Sequence, residues 1–163
     1  MSSVSFNFAD NVSGFAVAPG ESTEGVLTLG LAAVVGCGRR VLVFRELRHD
    51  LATGATELGD LALENDGGDP PGAPAIRWSG GAPRGFLVTW VTGDASTALM
   101  ARLVGERDFA GPAIDLTSSI PSAVAFPFGS AIGPSNAGGL RVWTYARGPE
   151  QGVYEIALGC GGL

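Results

Sequence analysis

Glycine and proline interrupt this chain at intervals of about eight to twelve residues, and this spacing restricts what the chain can fold into. There are 26 Gly and 10 Pro among 163 residues, and most runs between them are short and rich in β-branched or aromatic residues. A helix of ordinary length does not fit between such breaks, whereas a short strand closed by a turn does. The sequence therefore predicts an all-β chain of hairpins, arranged as a sandwich, a barrel or a propeller.

The predicted strands follow one another along the whole chain. The runs interpreted as strands are VSFNF, GFAVAP, GVLTLGLAAVVG, VLVFRELRH, Leu61–Leu63, PAIRW, FLVTWVT, TALMARLV, AIDL, SAVAF, LRVWTYA and VYEIAL. Residues 94–108 stay open: their place in the series favours a strand, but Asp94 could cap a helix with an apolar stripe. LATGATELGD is expected to be a loop. No linker or charge run divides the chain, so we expect a single β-rich domain over residues 1–163.

Two stretches share one plan and indicate a repeat. GFLVTWVTGDASTALMARL and GGLRVWTYARGPEQGVYEIALG each contain glycine, an apolar run around a tryptophan, a turn and a second apolar run. Extending the alignment towards the N-terminus places Trp78 on Phe126, and the stretches themselves place Trp90 on Trp143. Phe44 takes the place of Trp90 in a fainter earlier copy. Repeats of about 45 to 50 residues with several short strands are typical of propeller blades.

This pattern of Pro-apolar-Trp/Phe, Gly, apolar-Val-x-Trp, turn and apolar hairpin resembles the degenerate blades of bacterial β-propeller repeat proteins. The resemblance is best over residues 74–158 and implies propeller-like blades. Three blades cannot close a ring, so it also implies blades completed by oligomerisation of about two or three chains. The alternative is a β-sandwich or jelly roll, whose hairpins resemble one another as hairpins generally do, and an α+β fold stays open as well.

Composition limits the partners. Hydrophobic residues make up 45% of the chain and charged residues only 16%, against roughly a quarter in an average domain, so we expect a homo-oligomer that buries apolar surface. The net charge is −6 and the cations, all arginine, are scattered, so we expect no nucleic acid partner. No apolar run approaches ~18 residues, which predicts no membrane span. No signal peptide is recognisable, which favours a cytoplasmic location.

The residues that usually carry catalysis do not form a recognisable group. His49 is the single histidine, and its neighbour Asp50 would point to the opposite face of a strand. The acidic segment 60–69 is expected to be a solvated turn rather than a calcium site. The spacing of Cys37 and Cys160 matches no metal or redox motif, so a disulfide and two unpaired thiols both stay open. We expect no enzyme, no metal and no cofactor, with an active site of carboxylates alone as the alternative.

Aromatic residues beside arginine are the best candidates for a ligand site. The predicted ligand-binding residues are Trp78, Arg84, Trp90, Asn136, Trp143 and Tyr145. Asn136 lies in PFGSAIGPSNAGG, which is expected to be a loop at one rim of the fold. An aromatic ring offers a platform for a sugar, although aromatic residues also fill the cores of β domains. The sequence therefore predicts a non-catalytic, lectin-like binding module for carbohydrate. The alternative is a structural, self-assembling protein that presents β surfaces to copies of itself.

Overall fold

The computed structural model describes residues 11–21, 25–36, 40–64, 73–80, 84–92, 97–105, 110–120, 122–134 and 139–159. Within these ranges the chain forms eleven strands in three antiparallel sheets, together with one short 3₁₀ turn at Thr117–Ser119 and no α-helix. The prediction of an all-β fold is therefore confirmed. The predicted strand VSFNF lies outside the described residues.

Each sheet is built from strands that follow one another in the chain. Sheet 1 contains β1 (Val12–Pro19), β2 (Val26–Val35), β3 (Val41–Asp50) and β4 (Thr56–Glu64) in that order. Sheet 2 contains β5 (Ala75–Ser79), β6 (Gly85–Thr92), β7 (Ala98–Val104) and β8 (Ile114–Asp115). Sheet 3 contains β9 (Ser130–Pro134), β10 (Leu140–Ala146) and β11 (Gly152–Leu158), with β10 in the middle. Because sheet neighbours are also chain neighbours, turns and short loops suffice to connect them.

Sheet 2 lies between the other two sheets. On β6, Phe86 and Trp90 pack with sheet 1, where the Phe44 ring lies 5.4 Å from that of Phe86. The alternate residue Leu87 belongs to a second apolar cluster, which it shares with Val142 and other residues of sheet 3. Both faces of β6 are therefore covered, and the strand is buried at every position except the last. The first strands also meet, β1 with β5 and β5 with β9, so the sheets stack in chain order.

Several predicted boundaries change in the structure. Residues 98–104, within the segment left open between strand and helix, form β7, which pairs with β6 along its whole length. The predicted loop LATGATELGD is wrong in its second half, because β4 begins at Thr56 and pairs with β3. SAVAF forms no strand; its one ladder contact is an isolated bridge between Ala125 and Arg147. The predicted loop PFGSAIGPSNAGG contains β9.

The two stretches that share one plan form corresponding strands, β6 and β7 in sheet 2 and β10 and β11 in sheet 3, but their aromatic residues do not correspond. Trp90 and Trp143 both lie in the second strand of a sheet, as the alignment predicts. They point to opposite faces, however, since Trp90 packs towards sheet 1 and Trp143 lies on the side of β10 turned away from sheet 2. Phe44 lies in the third strand of its sheet, so its assignment to the place of Trp90 is wrong.

Candidate functional site

The face of sheet 3 turned away from sheet 2 brings aromatic and charged side chains together. On β10, Val142 and Ala146 belong to the core shared with sheet 2, so the alternate residues point the other way. The strand register places residues of β9 and β11 beside them. We call this surface the aromatic face; its members are Phe128, Ala131, Gly133, Arg141, Trp143, Tyr145, Val153, Glu155 and Ala157.

Two contacts hold the Trp143 ring on this face, one at each edge of the indole. Its six-membered ring lies against Gly133 of β9 so closely that a Cβ there would come within 2.7 Å of Cη2. Its Nε1–H donates a hydrogen bond of 3.0 Å to Oε2 of Glu155 on β11. Because Trp143 is only half-buried, part of the ring stays open to solvent. These two contacts fix the position of the ring on the aromatic face.

Glu155 contacts both the Trp143 ring and the guanidinium of Arg141. The second oxygen of Glu155, Oε1, lies 2.9 Å from Nη1 of Arg141. Arg141 lies on the neighbouring strand β10, where it is the ladder partner of Ala157. An ion pair at the surface adds only about 0–1 kcal/mol to stability, so its main effect is to orient the two groups. A guanidinium has five N–H donors, and a carboxylate has several lone pairs, so both keep capacity for a ligand after pairing with each other.

A second aromatic pair extends the face along β10. The Phe128 and Tyr145 rings have centroids 5.6 Å apart, and Val153 lies opposite Tyr145 in the ladder. Phe128 and Val153 are 76% and 75% exposed, respectively. Two residues along a strand span ~7 Å, which is the distance along β10 from Trp143 to Tyr145. The face therefore offers two apolar contact points beside one charged pair.

The other predicted site residues lie elsewhere. Trp90 is fully buried between sheets 1 and 2, and Trp78 is half-buried against Phe86, with ring centroids 4.8 Å apart. Arg84 is exposed before β6 and forms a 3.3 Å ion pair with Glu21. Asn136 lies outside the described residues.

Of the six predicted residues, the structure brings Trp143 and Tyr145 together. Sequence reasoning missed the partners Phe128, Gly133, Arg141 and Glu155. Two of them, Arg141 and Glu155, could have been found in the sequence. Arg141, Trp143 and Tyr145 alternate along LRVWTYA and therefore share one face, and Glu155 occupies a matching alternate position in VYEIAL.

The single histidine lies in the hairpin of β3 and β4. His49 Nδ1 shares a 2.9 Å hydrogen bond with Oγ1 of Thr56 across the β3–β4 ladder. The Asp50 carboxylate accepts hydrogen bonds from the backbone N–H groups of Thr53 and Ala52, and these lower the pKa of Asp50 below its usual value. These contacts close the turn between β3 and β4.

The part of the chain that the structure describes contains no group of three or more His, Cys, Asp or Glu side chains arranged to hold a metal ion. Cys37, Cys160, Asp66 and Asp69 lie outside it.

The fold and the site thus define an all-β protein of three stacked antiparallel sheets with an exposed aromatic face at one end. Comparisons with protein families, curated proteins and solved structures found no match. No helix in the described ranges is long and apolar enough to cross a membrane.

Proposed function

We propose that this protein is a non-catalytic binding module whose ligand lies on the aromatic face, and that carbohydrate is its first ligand class to test. One observation carries the proposal: the half-exposed Trp143 ring is held with one edge against Gly133, and the Glu155–Arg141 pair lies beside it. The C–H groups of a sugar ring pack on an aromatic ring, while its hydroxyls need donors and acceptors in defined positions. The aromatic face supplies both.

The form of the face supports an extended ligand over a small enclosed one. Trp143 and Tyr145 lie on the same side of one strand, and the exposed Phe128 and Val153 continue the apolar surface beyond Tyr145. Small-molecule sites are usually concave and bury most of the ligand. A sheet surface with contact points ~7 Å apart along one strand instead suits a chain of sugar units lying across it.

A glycan array followed by fluorescence titration tests the proposal. We expect binding to oligosaccharides such as those of xylan, cellulose or chitin to change the emission of Trp143, since Trp90 is buried. Trp143→Ala should weaken binding about two- to tenfold, because one aromatic contact is worth ~0.5–1.5 kcal/mol. Arg84→Ala, at the turn before β6, is the matched control and should bind as the wild type does. Equal binding by Trp143→Ala, or no retained glycan on the array, contradicts the proposal.

A second candidate function, a structural protein that presents its sheets to copies of itself, is favoured by sheet 1. Phe15 on β1 is 65% exposed, and Val17 and Leu27 are also exposed on the same side. In this candidate the stacked sheets are propeller-like blades, and further copies cover the two end sheets. Assembly would then bury the aromatic face that the binding module leaves open.

Iodide quenching distinguishes the two functions. An assembly through the sheet faces predicts a mass of about two or three chains and little quenching, because Trp143 is covered. A binding module predicts that iodide quenches Trp143 at every protein concentration. Trp143→Phe should then remove a component of the quenching that Trp78→Phe, the control at the other half-buried tryptophan, leaves in place.

A further inference from the structure

The outer edge of β11 differs from the corresponding edges in the other two sheets. In sheets 1 and 2 the third strand, β3 or β7, pairs with a fourth strand, β4 or β8. In sheet 3 the third strand in the chain is β11, which pairs with β10 on one side. Among the described residues no strand pairs with its other side. The edge of Gly152–Leu158 therefore presents backbone donors and acceptors where the other sheets have a fourth strand.

β11 has none of the sequence features that usually protect an exposed edge strand from pairing. Proteins protect exposed edges with proline, lysine, bulges or short strands. β11 has seven residues and contains no proline and no cation, and its register with β10 runs without a shift from end to end. Its single charge is Glu155. Such an edge retains the ability to accept another strand.

We propose that β11 pairs with β11 of a second copy, antiparallel and about a twofold axis centred on Ile156. Any antiparallel edge can pair with itself in this way, and twofold dimers are the commonest oligomers. In this register Ile156 lies opposite Ile156 of the second copy, and Tyr154 lies opposite Leu158. Ile156 and Leu158 are already core residues, 8% and 9% exposed, so the added strand extends the core of sheet 3 across the axis.

Charge disfavours the register centred on Glu155, and loss of apolar contact disfavours the register centred on Tyr154. With the axis at Ile156, each Glu155 lies opposite an Ala157 methyl group. With the axis one residue earlier, the two Glu155 carboxylates lie directly opposite each other, which destabilises an antiparallel pair. With the axis at Tyr154, Ile156 lies opposite Gly152 and has no apolar partner. The register centred on Ile156 therefore keeps the carboxylates apart and gives Ile156 an apolar partner.

Two substitutions of the exposed residue Ala157 test the pairing. Ala157→Glu places a carboxylate opposite Glu155 of the second copy, twice per dimer, whereas Ala157→Arg places a cation there. Within one chain the two substitutions act in the opposite sense, because Ala157 lies opposite Arg141 of β10. There the glutamate of Ala157→Glu is attracted to Arg141, and the arginine of Ala157→Arg is repelled by it. Ala157→Glu should therefore keep or raise the melting temperature of the monomer while it weakens the dimer. A general loss of folding cannot produce this combination.

Sedimentation equilibrium is the measurement. We expect the wild type and Ala157→Arg to have twice the chain mass of 16.5 kDa, and Ala157→Glu to dissociate with a Kd raised about tenfold or more. Hydrogen exchange should show that the alternate amides of Gly152–Leu158 that point away from β10 are protected in the wild-type dimer and exposed in Ala157→Glu.

Three outcomes overturn the inference. A monomeric wild type does so, and if its β11 amides that point away from β10 are nevertheless protected, another segment of the same chain fills the edge. A dimer that survives Ala157→Glu is held by other surfaces, such as the sheet faces. Loss of the dimer in both Ala157 variants excludes the register centred on Ile156.

Discussion

At the scale of single residues, Gly133 decides how Trp143 can lie. A Cβ at Gly133 would overlap the tryptophan ring, and Gly133 is buried, so the ring and a methyl group cannot share the space. We predict that Gly133→Ala displaces the ring, breaks its hydrogen bond to Glu155 and lowers the free energy of unfolding by about 1–3 kcal/mol. Urea denaturation and a red shift of tryptophan emission measure the two effects.

Gly152→Ala is the matched control for Gly133→Ala, because a Cβ at Gly152 meets nothing closer than 4.0 Å, a ring carbon of Tyr154. It should leave both stability and emission nearly unchanged. If Gly133→Ala behaves like this control, Trp143 is not held against Gly133.

Asp50 gives a prediction about pH. Hydrogen bonds from the N–H groups of Thr53 and Ala52 lower its pKa in the folded chain below the usual value of 3.8 for an aspartate. The carboxylate therefore stabilises the β3–β4 turn at pH values above 3.8, and this stabilisation is lost as the pH falls through the lowered pKa. We expect amide exchange at Ala52 and Thr53, corrected for intrinsic rates, to rise in that range.

Asp50→Asn is the control for this titration, because an amide oxygen can accept the same two hydrogen bonds but does not titrate. Its corrected exchange rates should not change across the same pH range. A wild type whose exchange at Ala52 and Thr53 also stays constant below pH 3.8 contradicts the assignment.

At the scale of secondary-structure elements, the sequence predicts the strands better than their faces. Turn residues and short apolar runs suffice to locate β2, β3, β6, β10 and β11. Alternation identifies a face only where one side of a strand meets water. On β6 both sides are covered, so the strand is apolar throughout and nothing in it distinguishes the side of Trp90 from the side of Leu87. The alignment of Trp90 with Trp143 fails for this reason.

The boundaries that sequence reasoning missed have a related cause. β9 is the short run SAIGP, and β4 begins in the polar segment TELGD, so neither has the apolar run that identifies a strand. Each becomes a strand because the neighbouring strand offers a ladder, as β10 does for β9. Tertiary pairing of this kind leaves no local pattern in the sequence.

A hydroxyl contact joins sheet 2 to sheet 3. Thr89 of β6 is fully buried, and its Oγ1 shares a 2.7 Å hydrogen bond with Oγ of Ser130 on β9. Thr89→Val keeps the shape and removes the hydrogen bond, so we predict a loss of about 1 kcal/mol in the free energy of unfolding. Thr92→Val, at the half-buried end of the same strand, should cost clearly less in the same urea titration. Equal costs would mean that the Thr89–Ser130 bond adds nothing to stability.

At the scale of the whole molecule, the candidate site depends on the stacking order. The face of β10 that carries Trp143 is open because sheet 3 ends the stack, whereas Trp90 is closed because sheet 2 is in the middle. The sequence makes both tryptophans candidates for a ligand site, but it does not indicate which sheet lies in the middle of the stack. Which aromatic residues form a surface is thus decided by contacts far apart in the chain.

The central place of sheet 2 also predicts how the molecule unfolds. Leu42 belongs to the cluster between sheets 1 and 2, and Leu87 to the cluster between sheets 2 and 3, and both are fully buried. Leu42→Ala and Leu87→Ala should each lower the free energy of unfolding by about 2–5 kcal/mol. Because sheet 2 contributes to both clusters, we expect each variant to reduce protection from hydrogen exchange in β2 and β10 alike.

The exposed Leu27→Ala controls for the loss of a leucine and should cost less than about 1 kcal/mol. The informative comparison is between the two ends of the stack. If Leu42→Ala loosens β2 but leaves β10 at wild-type protection, sheet 1 opens independently of sheet 3, and the clusters on the two faces of sheet 2 are not coupled. If the free energy of exchange falls equally in β2 and β10 in both variants, the two clusters are coupled through sheet 2. The stability of the aromatic face then depends on the core between sheets 1 and 2.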